Sequence, residues 1–152
     1  MKYEVAVQAD PDWSGSEELL RSAARHTLKY EAAEEGSLTI VLTNQDAVRD
    51  LNRSFAGEDR PTDVLSFVDG TVDPESGRLY FGDIIIAADI ARDQADKAGH
   101  SLSAELSLLT VHGTLHLLGH DHLEKQEKQR MWSAQKAVLD ALDNQLVEGH
   151  TE

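Results

Sequence analysis

The chain contains no cysteine. Disulfides, thiolate metal sites and cysteine nucleophiles are thereby excluded, and the composition fits a reducing cytosol. Long apolar runs are missing too. No stretch approaches the ~18 apolar residues of a membrane span, so no membrane partner is expected. The N-terminal residues up to Trp13 alternate and carry charge, so they offer no apolar signal region and a cytoplasmic location is expected. Internal repeats, low-complexity tracts and linkers are absent. At 152 residues, the whole chain reads as one domain able to bury a core without covalent staples.

Positive charge is the third shortage. Lys and Arg number 14 against 28 Asp and Glu, a net charge of −14. Nucleic-acid binding is driven by cation release as basic side chains meet phosphates. The bulk charge therefore argues against a polyanionic partner, and no DNA partner is expected. Solubility is the plain reading of such acidity. A sharper one is a high-salt cytoplasm, in which repulsion between acidic side chains is screened.

The apolar pattern supplies the elements. Lys2–Gln8 alternates through Tyr3, Val5 and Val7 and reads as a strand. Ser14 to Glu17 has the spacing of a capping box. It opens a helix to about Glu35, with Leu19, Leu20, Ala23, Ala24, Thr27 and Leu28 on its apolar face and Gly36 as its stop. Leu38–Thr43 is a β-branched strand. Asn44 caps a short helix with Val48, Leu51 and Phe55 on its face, ending near Gly57. A polar loop then leads into a strand at Val64–Val68, and Asp69–Gly77 is rich in turn residues. Leu79–Ile86 is an apolar strand, Ala87–Ala98 a helix stopped at Gly99, and Ser101 caps the next helix. A last helix, about Glu124–Leu146, carries Met131, Trp132, Leu139, Leu142 and Leu146 on or near one side. Strands and helices mix without strict alternation. The expected fold is α+β, a roughly four-stranded mixed sheet packed against about five helices.

Four of the seven histidines fall between His112 and His122. On a helix, His112 and His116 differ by about 40° in direction and about 6 Å in height, so both imidazoles can reach one ion. His120 continues the stripe, but three histidines over two turns span about 12 Å, too far to converge on bonds of about 2 Å. Gly119 favours the left-handed conformation that ends helices. A turn there swings His122 back to the metal and leaves His120 pointing elsewhere. The result is His-x-x-x-His-x-x-Gly-x-x-His, a zincin-like metal-site helix with metzincin ligand spacing. The expected ligands are His112, His116 and His122. Neutral imidazoles favour one Zn(2+) per chain, with nickel or copper also accepted. Proteases of the metzincin type place Glu, the general base, after the first histidine; here Gly113 stands there, which disfavours peptide hydrolysis. A cation held by three neutral ligands keeps its full charge and can stabilise a phosphodiester in reaction.

The segment from His112 to His122 resembles the signature of the YbeY family, bacterial rRNA maturation factors and single-strand-specific endoribonucleases. Arg60-Pro-Thr-Asp-Val-Leu-Ser-Phe67, Gly82-Asp-Ile84, Ala98-Gly-His-Ser101 and the Glu105–Val111 approach resemble further family blocks in the right order. The likeness runs from about Leu38 into the final helix. It implies a zinc-dependent endoribonuclease acting on rRNA, including 16S 3′ end maturation, and in ribosome quality control. Its implied partners are rRNA and the ribosome or ribosome-associated proteins. Residue by residue, His112, His116 and His122 match the zinc ligands, and Asp121 matches the acid before the last of them. Asp121 is a candidate base or an orienting group.

Two departures stand out. The family often has Tyr where this chain has His120, and commonly Arg after the aromatic residue that is Phe55 here; this chain has Ala56. An arginine fork matches a phosphate, so Arg53 and Arg60 are the candidates to take over that role, against the plainer reading of solvated surface charges. Asp63 and Asp83 are expected to satisfy backbone donors at strand ends, the alternative being that they border the cleft. His26, His100 and His150 are expected at the surface. Two other functions stay open: a ribosome-assembly factor whose metal is structural, and a metallohydrolase of peptides or small molecules. On the high-salt reading, added KCl raises the melting temperature; a melting temperature flat across a KCl series would refute it.

Overall fold

The computed structural model describes residues 2–57, 62–120 and 125–149, with backbone alone at Ala56 and 143–149. Asp121, His122, Arg60 and His150 lie outside the described residues. Four strands, β1 (Tyr3–Ala9), β2 (Gly36–Thr43), β3 (Val64–Val72) and β4 (Leu79–Ala87), form one sheet in the order β1-β2-β4-β3. The β1–β2 and β2–β4 pairs are parallel; β3 and β4 are antiparallel. Five helices accompany it: α1 (Glu17–Tyr30), α2 (Gln45–Leu51), α3 (Ala88–Ala98), α4 (Leu102–Leu117) and α5 (Lys125–Gly149). This is the expected α+β mixed sheet.

Burial explains the layering. β4 has a neighbour on each side, and Phe81, Ile84, Ile85 and Ile86 are all buried, as a strand covered on both faces requires. One face carries the main core, where Leu20, Ala24 and Leu28 of α1 and Leu106, Leu109 and Leu117 of α4 meet Leu38, Ile40, Ile84 and Ile86. The other face is covered by α2, through Val48 against Ile85 and Ala87. A second cluster joins Ala23, Val111 and Leu115 to Met131, Ala134, Val138 and Leu142 of α5. α4 therefore has the sheet on one side and α5 on another. Its buried residues run from Glu105 to Leu117 and face both neighbours.

Several local readings change. Ser14 to Glu17 is not a capping box: Ser16 is the N-cap of α1 without a side-chain bond, and Ser14 Oγ donates to the Pro11 carbonyl of a short 3-10 turn at Pro11–Trp13. The Glu17 carboxylate accepts from Gly15 N–H instead, and backbone donors at Glu17 and Gly15 hold its pKa below the ordinary value. α1 stops at Tyr30, well before Gly36, which is buried as the first residue of β2; a Cβ there would meet the Leu79 carbonyl at 2.4 Å. Asn44 does cap α2, accepting from Ala47 N–H at 3.0 Å. A π-helical turn follows at Asn52–Ala56, and its wider winding swings Phe55 out to 71% exposure rather than onto the buried face. Trp132 likewise faces solvent, under the ammonium of Lys128 at 4.7 Å. β3 runs on to Val72, into the expected loop. His26 is half-buried, its Nδ1 bonded to the Ser22 carbonyl at 2.8 Å.

α1 ends on an Ala in the left-handed region, Ala32 at φ 51. Left-handed backbone costs a residue with a Cβ roughly 1–2 kcal/mol, partly offset because glycine loses more entropy on folding. Replacement of Ala32 by Gly is expected to stabilise the fold by about 0.5–1 kcal/mol, a rise of about 2–3 °C in melting temperature by calorimetry.

Candidate metal centre

The two histidines expected to share an ion do face each other. His112 and His116 lie on one side of α4, both half-buried, with Nε2 atoms 3.1 Å apart and rings edge-on at 72°. His112 Nδ1 lies 3.1 Å from Gln135 Oε1 of α5. An amide oxygen only accepts, so Nδ1 carries the proton and the Nε2 lone pair points into the gap. Zinc–nitrogen bonds of about 2.0–2.1 Å at a tetrahedral angle place two ligand nitrogens about 3.3 Å apart. The observed separation fits such an ion. Gln135 then does what outer partners of metal-binding imidazoles do, fixing the tautomer and the ring direction. Among the described residues no group of three potential ligands converges; His122, the expected third, lies outside them.

α4 ends as Gly119 requires. At φ 96, Gly119 donates to the His116 carbonyl at 3.0 Å, and His120 N–H donates to Leu115 O at 3.0 Å, the two bonds of a Schellman turn. The His120 side chain turns away from the pair and bonds Glu31.

A cleft of about 450 Å³ opens over the histidines. Its lining joins His112 and His116 to Thr62, Asp63, Val64, Leu65, Ser66 and Val68, at the start of β3. Two segments that the sequence marked separately are thus facing walls of one cavity. They are joined below by Ser66 Oγ, which donates to the Gly113 carbonyl at 3.2 Å. Gly113 itself is buried and points at the sheet: an added Cβ would lie 2.8 Å from Ile84 Cγ2. Position 113 is a packing point, not a vacant base position in the cleft.

The remaining candidates separate. Asp63, expected to serve backbone donors, stands on the cleft wall and accepts from the Thr62 hydroxyl at 3.4 Å. Asp83 bonds Tyr80, whose phenol is pushed above its ordinary pKa by burial and then by that carboxylate. Arg53 is well exposed, pairs with Asp50 at 3.1 Å and is not among the cleft-lining residues. His100 pairs with the buried Glu105 at 2.6 Å. Gln135 went unseen in the sequence because its contact to His112 spans 23 positions and two helices.

The family model described as endoribonuclease YbeY matches residues 6–143. The chain belongs to the YbeY family. The endoribonuclease YbeY of Bacillus subtilis (strain 168) is 38% identical over 144 residues, covering 87% of this chain and 91% of that protein. The endoribonuclease YbeY of Rhodococcus erythropolis is 39% identical over 148 residues, covering 92% and 81%. A Thermotoga maritima protein solved in solution shares the fold at a TM-score of 0.65, with 23% identity over 96% of this chain and 93% of that one. YbeY membership supports an RNA-cleaving hydrolase.

The packing at Gly113 has a direct consequence. Gly113→Glu, which would complete the protease motif, is expected to drive a carboxylate into Ile84 and cost more than about 4 kcal/mol. Circular dichroism should report an unfolded chain, with no peptide hydrolysis gained.

Proposed function

We propose that this YbeY-family chain is a cytoplasmic, zinc-dependent, single-strand-specific endoribonuclease. Its place is in rRNA processing, at the 3′ end of the small-subunit (16S) rRNA, and in ribosome biogenesis and quality control. The observation that carries the reading is the 3.1 Å approach of the His112 and His116 Nε2 atoms on the floor of the cleft walled by β3. His112 and His116, with His122, would hold the metal. When bound, zinc supplies a fixed positive charge and Lewis acidity at the reacting phosphate. That local charge answers the net −14, which by itself repels RNA.

The chain's own groups do the rest. Gln135 holds His112 in the tautomer that leaves Nε2 to a ligand. The Asp63 carboxylate, on the opposite wall, joins Asp121 as a candidate to take a proton from the attacking hydroxyl. Val64 and Val68 give the wall an apolar surface against which an unpaired base can lie. A cleft of this size suits one unstacked nucleotide, which is how single strands are read. Arg60, two positions before Thr62 in sequence, is the candidate phosphate contact.

One observation favours the second reading, a ribosome-assembly factor with a structural metal: among the described residues lining the cleft there is no lysine or arginine. The two part in one experiment. Purified protein expressed without added metal is assayed for zinc content and for cleavage of a small-subunit rRNA 3′ fragment, with and without chelator. His112→Ala and His116→Ala are expected to lose zinc and to reduce cleavage at least about a hundredfold. Full cleavage by either metal-free variant refutes the proposal. A melting temperature that falls with chelator, while the intact protein never cleaves, supports the structural metal instead.

A further inference from the structure

The shortage of positive charge is not spread evenly along the chain. Between Lys125 and Lys136, in the first half of α5, four of the 14 basic residues stand against one acidic residue, Glu127. At about 100° per residue, Lys125, Lys128, Trp132 and Lys136 share about 80° of the helix circumference and form one stripe about 16 Å long. All four are exposed, Trp132 at 56%. On another side of α5, Met131, Ala134 and Val138 are buried against Val111 and Leu115. Packing therefore accounts for that face of the helix and not for the stripe. Arg130, the remaining cation, lies off the stripe and lines a small cavity with His120.

A single exposed aromatic is ordinary on a protein surface. Trp132 differs in its company. The Lys128 ammonium sits over its ring at 4.7 Å, and Lys125 and Lys136 flank the pair along the helix. Aromatic faces stack on bases of any sequence while neighbouring cations meet the phosphates, the combination that single-strand binding surfaces use. Lys136 pairs with Asp140 at 3.7 Å, but both side chains are well exposed, at 81% and 64%. Such a pair is weak and leaves the lysine open to a phosphate. The stripe also borders the histidine cleft. Gln135 stands between it and the buried face, about 20° round the helix from Lys128, and its Oε1 lies 3.1 Å from His112 Nδ1. Among the described residues lining that cleft there is no lysine or arginine, so the nearest stripe of cations for a bound strand is on α5.

We propose that the stripe of Lys125, Lys128, Trp132 and Lys136 holds single-stranded RNA beside the histidine cleft, with a base stacked on the indole and phosphates on the lysines. The inference rests on the endoribonuclease reading above and gives its substrate a second contact surface. In a chain of net charge −14, repulsion elsewhere directs a polyanion to such a local stripe of positive charge. A duplex, with its bases stacked on one another, offers phosphates to the lysines but no free face to Trp132. The aromatic thus supplies a preference for unpaired strands that the cations alone do not provide.

The test reads binding of a fluorescein-labelled single-stranded fragment of the small-subunit rRNA 3′ end by anisotropy across a KCl series, with a duplex of the same sequence alongside. Cleavage of the fragment by the zinc-loaded protein is read separately. Lys125→Ala, Lys128→Ala and Lys136→Ala are each expected to make the fall of log affinity with log salt shallower by about 0.7, and the triple variant by about 2. Trp132→Ala is expected to weaken single-strand binding about tenfold while the salt slope and the duplex affinity are kept, and Trp132→Phe to recover most of the loss. In cleavage these losses appear in KM, with kcat within about threefold of the parent, because the stripe does not touch the reacting atoms. Lys97→Ala, on α3 and outside the stripe, is expected to match the parent. Parent-like affinity and slope in the triple variant and in Trp132→Ala overturn the proposal, the result given by a stripe that serves a protein partner or solubility alone. If the parent cleaves and His112→Ala does not, while every stripe variant keeps the parent KM, the stripe falls and the endoribonuclease reading stands. If the parent neither binds nor cleaves the fragment, both fall.

Discussion

The constraint on which the rest depends is the close seating of α4 on the sheet at Gly113. Where any other side chain would meet Ile84, the absent one lets the helix backbone come down until its carbonyl accepts from Ser66. That contact sets the height of the next residues above β3. His112 and His116 then look out over Asp63 and Val68 across a cavity of about 450 Å³ rather than into solvent. The same enclosure puts Gln135 of α5 within reach of His112 from the opposite side. The facing of the two histidines, the cleft and the Gln135 contact all follow from one close approach between a helix and a strand.

That seating also accounts for a sequence feature with two meanings. In the protease motif, the position after the first histidine carries the base. Here the backbone turns that position into the sheet, away from the cleft. Asp63 stands on the facing wall, at the start of an edge strand whose far end is solvent-exposed. The cleft is thus assembled from two layers, with the histidine side on α4 and the carboxylate side just before β3.

Helix ends carry a second lesson. α4 ends as its glycine dictates, whereas α1 ends on Ala32 and Glu31, both unfavourable in their own helix. Both turns close with the same two backbone bonds, and the Glu31 side chain at the end of α1 meets His120, 89 positions distant. Local propensity predicts the first and misplaces the second: with Ala32 rather than glycine in the left-handed position, the expected stop at Gly36 overshoots the true end at Tyr30. Gly36 is instead a close-packing position at the head of β2. The π-helical turn after α2 works similarly: a single change in winding moves Phe55 from an expected inner face to the surface, edge-on to Phe67 at 5.7 Å.

From the sequence alone, much was already determined. Alternation and β-branched runs located the four strands, the three-and-four spacing of apolar residues located the helices, and the i, i+4 histidines with Gly119 defined a facing histidine pair and the stop of its helix. These are local properties, set by backbone periodicity and by the conformational range of single residues. Tertiary structure alone decided which separated segments share a cavity, which glycine is a packing point and which a turn, and which partners His112 and His120 take. Each of those outcomes depends on distances between residues tens of positions apart, set by how α4 lies between the sheet and α5, and periodicity carries no information about them.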